Sequence, residues 1–177
     1  MASRTIKVPF SVDGLTKLAN DFQKYTDNII RKNQYFVERL ATLGIPVIDA
    51  KIAESQGDSE KGHSTHIEVQ GLGQSTCMAK LVVNNKDILF IEFGAGIHFN
   101  NAKKNNPKAA ELGYGVGSYP GQTHAFNEKG WYYTNGAGSA IHSYGTEATE
   151  PLQSAVVEII SRIEEIAREV FGDVGNR

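Results

Sequence analysis

Glycine is the residue type whose spacing comes nearest to a ligand-binding motif, since eight of the 18 glycines lie between Gly113 and Gly145. The stretch Gly113-Tyr-Gly-Val-Gly-Ser118 approaches the glycine-rich loop that holds nucleotide phosphates. That motif has a third glycine where serine stands here, and it opens a helix, which Pro120 and Gly121 prevent. The spacing favours an irregular loop with close backbone contacts, and a small nucleotide-binding enzyme is kept as an alternative.

Imidazole and thiol groups are the next candidates, as metal ligands or as a nucleophile. The histidines are His63, His66, His98, His124 and His142. The first two are three residues apart in a strand pattern, where side chains point to opposite faces, and the other three are dispersed. The single cysteine, Cys77, alternates with Ala79 and Leu81 in the manner of an inert buried thiol. We therefore expect no metal site, no cofactor and no catalytic residue.

Charged side chains stand in unusual surroundings at two places. Glu92 lies within an apolar run, so its carboxylate needs a partner if it is buried. It is either aimed across a subunit contact or held in an ion pair within the chain, and the second role is favoured for a single chain. Lys103, Lys104 and Lys108 form a basic cluster with little local acid. The cluster predicts either a passing contact with DNA phosphates or a solvated loop.

Two amphipathic helices must position these groups. In the N-terminal part of the chain, apolar residues recur at helical spacing; they are Leu15, Leu18, Phe22, Tyr25, Ile29, Phe36, Leu40 and Leu43. Ser11 or Asp13 is a suitable N-cap, because either side chain accepts a bond from a backbone N–H of the first turn. Gly44 and Pro46 predict the end of this helix and the start of a short second one over 46–55.

The C-terminal part of the chain predicts another amphipathic helix, from near Thr146 to Phe171. Pro151 suits its first turn, where the missing N–H is not needed, and Gly172 is a suitable C-cap. Two amphipathic helices of this kind need an apolar surface to cover, which strands between them would supply.

Strands are predicted between the helices. Residues 65–69 and 77–83 alternate apolar with polar side chains, and residues 84–87 form a turn candidate. The run 88–93 is apolar on both faces, which predicts a central strand covered on both sides. We expect an α+β fold in which an antiparallel sheet of hairpins is packed by the long N-terminal helix and the C-terminal helix.

Residues 98–146 do not fit this compact picture. A connection of this length is far longer than usual, and it is rich in glycine and aromatic residues. Residues 130–134 and 140–144 flank an Asn-Gly turn and predict a hairpin. We expect a single domain over 1–177, with 98–146 as an extended arm inserted between the central strand and the last helix. The hairpin half of the arm either reaches a neighbour or folds back on its own sheet.

Composition limits the class of protein. The length of 177 residues predicts one domain. A single cysteine cannot form an intrachain disulfide, which is typical of a protein in a reducing compartment. The net charge of −2 excludes a broad basic field for binding duplex DNA. No apolar run approaches the length of a membrane span, and the first ten residues lack the apolar core of a signal peptide.

Several motifs together resemble one family. The sequence Ile91-Glu-Phe-Gly-Ala-Gly96 is similar to a signature of small phage tail components, the tail-completion or head–tail joining proteins of long-tailed (lambdoid) phages. The order of a long helix, hairpins, this signature and a C-terminal helix is also similar. The downstream stretches 113–117, 119–125, 130–133 and 142–152 resemble the subgroup with longer loops. Ala95 departs from the family, in which threonine is commoner at this position.

The resemblance implies a structural role in the virion and no catalytic activity. Such proteins form rings in the neck, with six copies implied, stacked between the head connector or stopper proteins and the tail tube or tail terminator proteins. DNA passes through the lumen and touches it without sequence specificity. The chain would act in the virion neck and be present in the host cytoplasm during assembly. A portal-side connector, adaptor or head-closure protein of the same neck is the close alternative.

If the chain is a neck protein of this kind, its candidate residues are expected either at the contacts between subunits or on the surface that faces DNA. Aromatic side chains are the type that anchors protein interfaces. The predicted subunit-interface residues are Glu92, Phe93, Tyr119, Phe126, Trp131, Tyr132 and Tyr133. The predicted DNA-facing residues are Lys103, Lys104 and Lys108.

Overall fold

The computed structural model of the protein describes residues 7–55, 62–74, 76–99, 108–112, 124, 126–134 and 137–172. In these residues the chain forms mixed helices and strands, with a long helix at each end. The elements are α1 (Val12–Glu54), β1 (Ser64–Gln70), β2 (Met78–Asn84), α2 (Ile88–Phe93), a 3₁₀ turn (Ile97–Phe99), α3 (Lys108–Glu111), β3 (Trp131–Thr134), β4 (Ala140–Ser143) and α4 (Pro151–Phe171).

Helix α1 is one continuous helix of 43 residues. The prediction that Gly44 and Pro46 end the first helix is therefore wrong. A proline in a helix interior costs about 3 kcal/mol, because it removes one backbone hydrogen bond and crowds the preceding turn. The turns that follow it bury Ile48 and Ile52 completely. Burying two isoleucine side chains contributes about 1.5–3 kcal/mol each, which outweighs the local cost of the proline.

The ends of the long helices show capping groups. The hydroxyl of Ser11 accepts the N–H of Gly14 at 3.1 Å, so the predicted N-cap is confirmed. Helix α4 ends at Phe171 as predicted, and the N–H of Gly172 bonds to the carbonyl of Arg168 at 2.8 Å. The start of α4 is later than predicted, at residue 151, because residues 146–150 are held by other contacts described below.

The run Ile88–Phe93 forms helix α2 and not the predicted central strand. The preceding turn decides this outcome. The side-chain oxygen of Asn85 accepts the N–H of Asp87 at 2.8 Å, and the carbonyl of Asp87 then accepts the N–H groups of Phe90 and Ile91. A short run that is apolar on every side suits a buried helical turn as well as a buried strand, so its sequence alone does not distinguish them.

The strands form two small antiparallel hairpin sheets. One consists of β1 and β2, in which half-buried and exposed residues alternate. The other consists of β3 and β4, with Trp131 opposite Ser143 and Thr134 opposite Ala140. The pairing of the strands predicted at 65–69 and 77–83 is confirmed, and so is the hairpin predicted over 130–144, whereas the turn predicted at 84–87 does not lead into a further strand. The expected larger sheet is not formed around the first one, because α2 takes the place of its third strand.

Contacts group the chain into two compact units. The first comprises Met1–Thr42, Ile67–Leu81 and Ile159–Arg177. Its buried apolar residues are Ala41, Ile166 and Val170. The rings of Phe36 and Phe171 meet edge to face at 5.6 Å, so the C-terminal turns of α4 lie against the middle of α1.

The second unit comprises Leu43–His66 and Val82–Glu158. Its buried apolar residues are Ile48, Ile52, Ile91, Phe93, Ala95 and Ala155. They come from the end of α1, from α2 and the residues after it, and from the first turns of α4. In the parts of the chain described, no helix is both long enough and apolar enough to cross a membrane.

Candidate functional site

The family-like signature lies in a tightly bonded region of the second unit, which we call the junction and define as residues 91–95 with residues 146–153. The carbonyl of Ile91 accepts the N–H of Thr149 at 2.9 Å. Ala95 and Thr146 form an antiparallel bridge with two backbone hydrogen bonds of 2.8 Å each. The hydroxyl of Thr149 donates to the carbonyl of Lys51 at 2.9 Å. These bonds fix the segment between β4 and α4 and explain why α4 cannot begin earlier.

Glu92 is the charged centre of the junction. Its side chain is completely buried. One carboxylate oxygen accepts the N–H of Leu152 at 2.7 Å and the other accepts the N–H of Gln153 at 3.0 Å. These N–H groups belong to the first turn of α4, where helical partners are lacking and the helix dipole favours a negative charge. The carboxylate therefore has partners within its own chain, which favours the structural role that the sequence interpretation preferred for a single chain.

The junction also holds the hairpin of β3 and β4. Trp131 is half-buried, and its ring lies so close to Gly96 that a Cβ on that glycine would be 3.2 Å from it. Gly145 has φ +116°, and a side chain there would collide with the carbonyl oxygen of Ala95. The hairpin thus lies next to the junction, with Trp131 beside Gly96 and Gly145 against Ala95. This half of the predicted arm folds back on its own unit.

Four aromatic rings lie in a row beside the hairpin, which we call the ring row: Tyr132 of β3, His142 of β4, Tyr144 just after β4, and His98 of the 3₁₀ turn. The centroids of Tyr132 and His142 are 4.7 Å apart, those of His142 and Tyr144 are 4.7 Å apart, and those of Tyr144 and His98 are 5.2 Å apart. The side chains of Tyr132 and Tyr144 are 73% and 52% exposed. The pairs of His142 with Tyr144 and of Tyr144 with His98 are edge to face, and the pair of Tyr132 with His142 is tilted, so the four rings form a continuous aromatic surface.

Backbone carbonyls fix both histidines of the ring row. Nε2 of His142 lies 2.8 Å from the carbonyl of Lys129, and Nε2 of His98 lies 2.9 Å from the carbonyl of Glu128. A carbonyl only accepts, so each Nε2 carries a proton and donates it. Nε2 of both histidines is therefore engaged in a hydrogen bond with the backbone of its own chain. The ring row is therefore better suited to contacting another surface than to transferring protons.

The sequence-predicted residues fall into three groups. Glu92 and Phe93 are buried within the single chain, and their place in a subunit contact stays a prediction. Trp131 is half-buried, whereas the other described aromatics are exposed, namely Phe126, Tyr132 and Tyr133. Tyr119, Lys103 and Lys104 lie outside the described residues, as does the glycine loop 113–121.

Lys108, the remaining basic candidate, lies in the short helix α3. Its ammonium group is 2.8 Å from the carboxylate of Glu111, and both side chains are largely exposed. The pair partly neutralises the positive charge that a phosphate would meet. The local acid that the sequence interpretation judged to be scarce is therefore supplied by Glu111, three residues further on in the same short helix.

A second histidine contact lies at the end of α1. Nε2 of His63 lies 2.8 Å from the carboxylate of Asp49, and the hydroxyl of Thr65 donates to the same oxygen at 3.0 Å. Because the hydroxyl is bonded to the acid and not to the imidazole, this arrangement ties β1 to α1 instead of activating a nucleophile. Cys77 is half-buried and precedes β2. No group of three metal-ligating side chains occurs in the part of the chain that is described.

Both long helices also expose apolar stripes that the sequence interpretation assigned to the core. The α1 stripe comprises Leu15, Phe22 and Tyr25, with Phe22 56% exposed. The α4 stripe comprises Val156, Ile160 and Ile163, with Ile160 62% exposed. The periodicity that predicts a helix does not tell whether the partner of its apolar face lies in the same chain or in another.

A shallow groove of about 420 Å³ lies beside the first turns of α4. It is lined by Val47, Glu150, Gln153, Ser154, Val157 and Glu158. Two acidic side chains and an open shape distinguish it from the enclosed apolar pockets that hold small organic ligands.

The ring row is the site feature that sequence reasoning missed, although a signal for it existed. The strands predicted at 130–134 and 140–144 are of equal length, and their antiparallel pairing places Tyr132 opposite His142. Side chains opposite each other in a pair of strands share a face, so this first ring pair was predictable. The addition of His98 was not, since it depends on the fold of the junction. Comparison of the chain with known protein families, with curated proteins and with solved structures gives no match.

Proposed function

We propose that the chain is a structural subunit of the neck of a long-tailed phage. Copies of it form a ring that completes the tail and joins it to the head connector, with the genome passing through the lumen. The observation that carries this proposal is the amount of ordered apolar surface exposed on a single copy. It lies on three elements, the hairpin with its ring row, the first turns of α1 and the outer face of α4.

Exposed apolar side chains are ordinary when they are scattered, but contiguous stripes and rows mark surfaces that contact something else. The ring row presents aromatic side chains whose positions are fixed before any partner arrives. Preordered aromatic surface contributes strongly to binding, because little conformational entropy is lost on contact. A subunit that contacts neighbours within its ring and further layers above and below needs several such surfaces.

The arm over 98–146 is the proposed assembly element. Its hairpin half presents the ring row to a neighbouring subunit or neck layer, while lying next to its own junction at Trp131 and Gly145. The basic residues Lys103, Lys104 and Lys108 are proposed to face the lumen, where contact with DNA is transient and without sequence specificity. Six copies per ring follow from the resemblance of the signature at 91–96 to the phage family.

The proposed partners are the connector or stopper proteins of the head on one side of the ring and the tail tube or terminator proteins on the other. Head-to-tail contacts between identical subunits close into a ring when the rotation between neighbours allows it. The neighbouring layers would then present repeated copies of their own surfaces to it. A portal-side connector position in the same neck is the alternative within this function.

Deletion of the coding sequence in the phage tests the proposal. The expected result is DNA-filled heads together with separate tails in electron micrographs, and restoration of joined particles when the protein is supplied in trans. A reconstruction of the neck should contain this chain as a closed ring. Normal joined particles without the protein, or one copy of the chain in an unclosed arrangement, would contradict the proposal.

A point variant makes the test specific for the ring row. Tyr132→Ala removes a largely exposed ring, so we expect an unchanged unfolding midpoint but a failure to restore joined particles. Leu72→Ala is the matched control, because Leu72 is also an exposed large side chain but lies in the turn between β1 and β2. It should restore joined particles as well as the unaltered protein does. Equal complementation by both variants would overturn the role of the ring row.

A further inference from the structure

We propose that α1 contains a hinge at residues 42–46, at which its N-terminal section, residues 12–41, changes direction relative to its C-terminal section, residues 47–54. The hinge is a property of the single chain, so the inference goes beyond the proposed function and does not depend on it. Three features of the helix meet at this place, a proline, a glycine and a threonine side chain bonded to the backbone, and each of them weakens the helix there.

The proline removes a hydrogen bond from the interior of the helix. Pro46 has no N–H to donate to the carbonyl of Thr42, one turn earlier, and its ring crowds the same carbonyl. It also disfavours helical geometry at the preceding residue, Ile45. Thr42 and Pro46 are both exposed, so water has access to the side of the helix on which the bond is missing. Sharp bends in helices are almost always found at sites of this kind.

The threonine and the glycine weaken the turn that precedes the proline. The hydroxyl of Thr42 donates to the carbonyl of Glu38 at 2.8 Å. Such a bond back to the preceding turn slightly destabilises a helix and often bends it. Gly44 costs about 1 kcal/mol relative to alanine in a helix interior, because glycine loses the most backbone freedom on folding. Nowhere else in α1 do the three features occur together.

The C-terminal section of α1 is held firmly in its own surroundings. Ile48 and Ile52 are completely buried. The carbonyl of Lys51 accepts the hydroxyl of Thr149 at 2.9 Å, and the carboxylate of Asp49 accepts a hydrogen bond from β1 at 3.0 Å. This section therefore provides a fixed base for the movement.

The N-terminal section has weaker contacts. From residue 12 to residue 27 nearly every residue is exposed. Further along, the ring of Phe36 meets that of Phe171 at 5.6 Å, and Arg39 lies 3.9 Å from Glu169 with both side chains more than two-fifths exposed. An exposed ion pair contributes about 0–1 kcal/mol, so it does not hold the helix to one direction.

The length of the N-terminal section amplifies a bend at the hinge. Val12, at the start of α1, lies about 48 Å from Gly44 along the helix axis, since each residue adds about 1.5 Å. A change of about 10° at the hinge therefore moves the start of α1 by about 8 Å. The exposed apolar side chains of the first turns change position most, while Ile48 and Ile52 stay buried. The α1 stripe is thus presented over a range of positions.

Pulsed electron paramagnetic resonance between two spin labels on the full chain tests the hinge. In a Cys77→Ser background, Arg31→Cys and Ala53→Cys place the labels at exposed positions on either side of it. These positions are about six turns apart, so the labels lie on the same side of α1 with about 33 Å between them. Labelled protein is diluted with unlabelled protein, so that the distances recorded are those within one chain.

We expect a broad distribution of distances, and one about twofold narrower in Pro46→Ala, which restores the N–H group that bonds to Thr42. Pro46 is exposed, so this variant loses no buried contact, and its unfolding midpoint in urea should not fall. Equal widths with and without Pro46 would overturn the inference, because the proline would then build a fixed bend. A shift of the mean distance without a change in width would do the same.

A second pair of variants separates the hinge from general loosening of the helix. Thr42→Ala removes the bond to Glu38 and should narrow the distribution by less than Pro46→Ala does. Thr26→Ala is the matched control, because the hydroxyl of Thr26 makes the same kind of bond, to the carbonyl of Phe22 at 3.0 Å, outside the labelled span. It should leave the distribution unchanged. Equal narrowing by both threonine variants would contradict a hinge confined to 42–46.

The result is distinguishable from the fate of the proposed function. A broad distribution together with normal particles after gene deletion would support the hinge and contradict the neck function. Unjoined heads and tails after deletion, together with equal widths in the two proteins, would support the neck function and contradict the hinge.

Discussion

Helix α1 and helix α4 are both capped by a side-chain oxygen that accepts backbone N–H groups, but the cap of α1 is exposed and that of α4 is buried. At the start of α1, the exposed hydroxyl of Ser11 accepts an N–H group three residues ahead, and the turns that follow are open to solvent. At the start of α4, the buried carboxylate of Glu92 accepts two N–H groups from residues 60 and 61 positions ahead. The first N–H groups of α1 are capped by a residue next to them in the sequence, whereas those of α4 are capped by a residue far away in the sequence.

The difference separates the parts of the molecule that carry the fold from the parts that are available to partners. Around Glu92, backbone bonds, a buried charge and strained glycines depend on one another, so little can change without unfolding. Around the first turns of α1 and on the ring row, most side chains are exposed and are less constrained by contacts within the chain. Substitutions in the two regions should therefore differ in kind, with loss of stability in the first and loss of assembly in the second.

Glu92→Ala should produce the largest effect. It leaves two buried N–H groups without acceptors and removes the charge that complements the start of α4, so we expect a loss of about 3 kcal/mol or more. Unfolding in urea measures the change. Glu147→Ala, which removes an exposed acid from the junction, should change stability by less than about 0.5 kcal/mol. Equal effects would show that burial of Glu92 is not what stabilises the start of α4.

Gly145→Ala should come next. The new Cβ would meet the carbonyl oxygen of Ala95 in a backbone conformation, φ +116°, that side chains rarely adopt. We expect a loss of about 2–3 kcal/mol and a shift in the fluorescence of Trp131, which lies beside the same bridge. Gly138→Ala is the matched control, because φ is also positive there and no atom is close. It should cost about 1 kcal/mol and leave the fluorescence unchanged.

Trp131 and Tyr132 are adjacent residues that should respond differently. Trp131→Ala removes a half-buried ring packed at the junction and should cost about 2 kcal/mol. Tyr132→Ala removes an exposed ring and should change stability by less than about 0.5 kcal/mol. Urea unfolding of the isolated protein gives both values. A large loss from Tyr132→Ala would mean that the ring row belongs to the core and not to an assembly surface.

Ser11→Ala should produce the smallest effect, about 0.5–1 kcal/mol confined to the first turns of α1. Hydrogen exchange should speed up over those turns, while the amides of α4 keep their protection. Ser11→Asp keeps an acceptor at the same place and should restore protection. Faster exchange throughout the chain after Ser11→Ala would show that the start of α1 is coupled to the fold after all.

Local signals in the sequence predicted the local features of the structure. Ser11 and Gly172 act through neighbouring backbone groups, so their effect is visible in a short stretch of residues. The outcome at Pro46 depended on what packs against that segment, which periodicity does not specify, and the proline remained within a helix whose following turns are buried. The run at 88–93 fits a buried helical turn as well as a buried strand, and it follows the Asn85 turn as a helix.

The candidate site was predicted in the same uneven way. The exposed aromatic residues Tyr132 and Tyr133 were predicted from their residue type, whereas the row that Tyr132 forms with His142, Tyr144 and His98 was not predicted. The partner of Glu92 was not, because a carboxylate in an apolar run indicates only that a partner exists. Its donors are backbone groups at a helix start far along the chain, and backbone groups leave no mark in the sequence.

The distance in sequence between Glu92 and its donors also sets an order of events during synthesis. Closing a loop of 60 residues costs about 2.7 kcal/mol more entropy than closing one of three, so the start of α1 can form long before the start of α4 is fixed. On the ribosome, Glu92 precedes Leu152 by 60 residues, which corresponds to about 3–12 s of translation. During that interval the apolar residues of 88–93 have no finished core to enter. The nascent chain is therefore most in need of chaperone protection between the synthesis of α2 and that of α4.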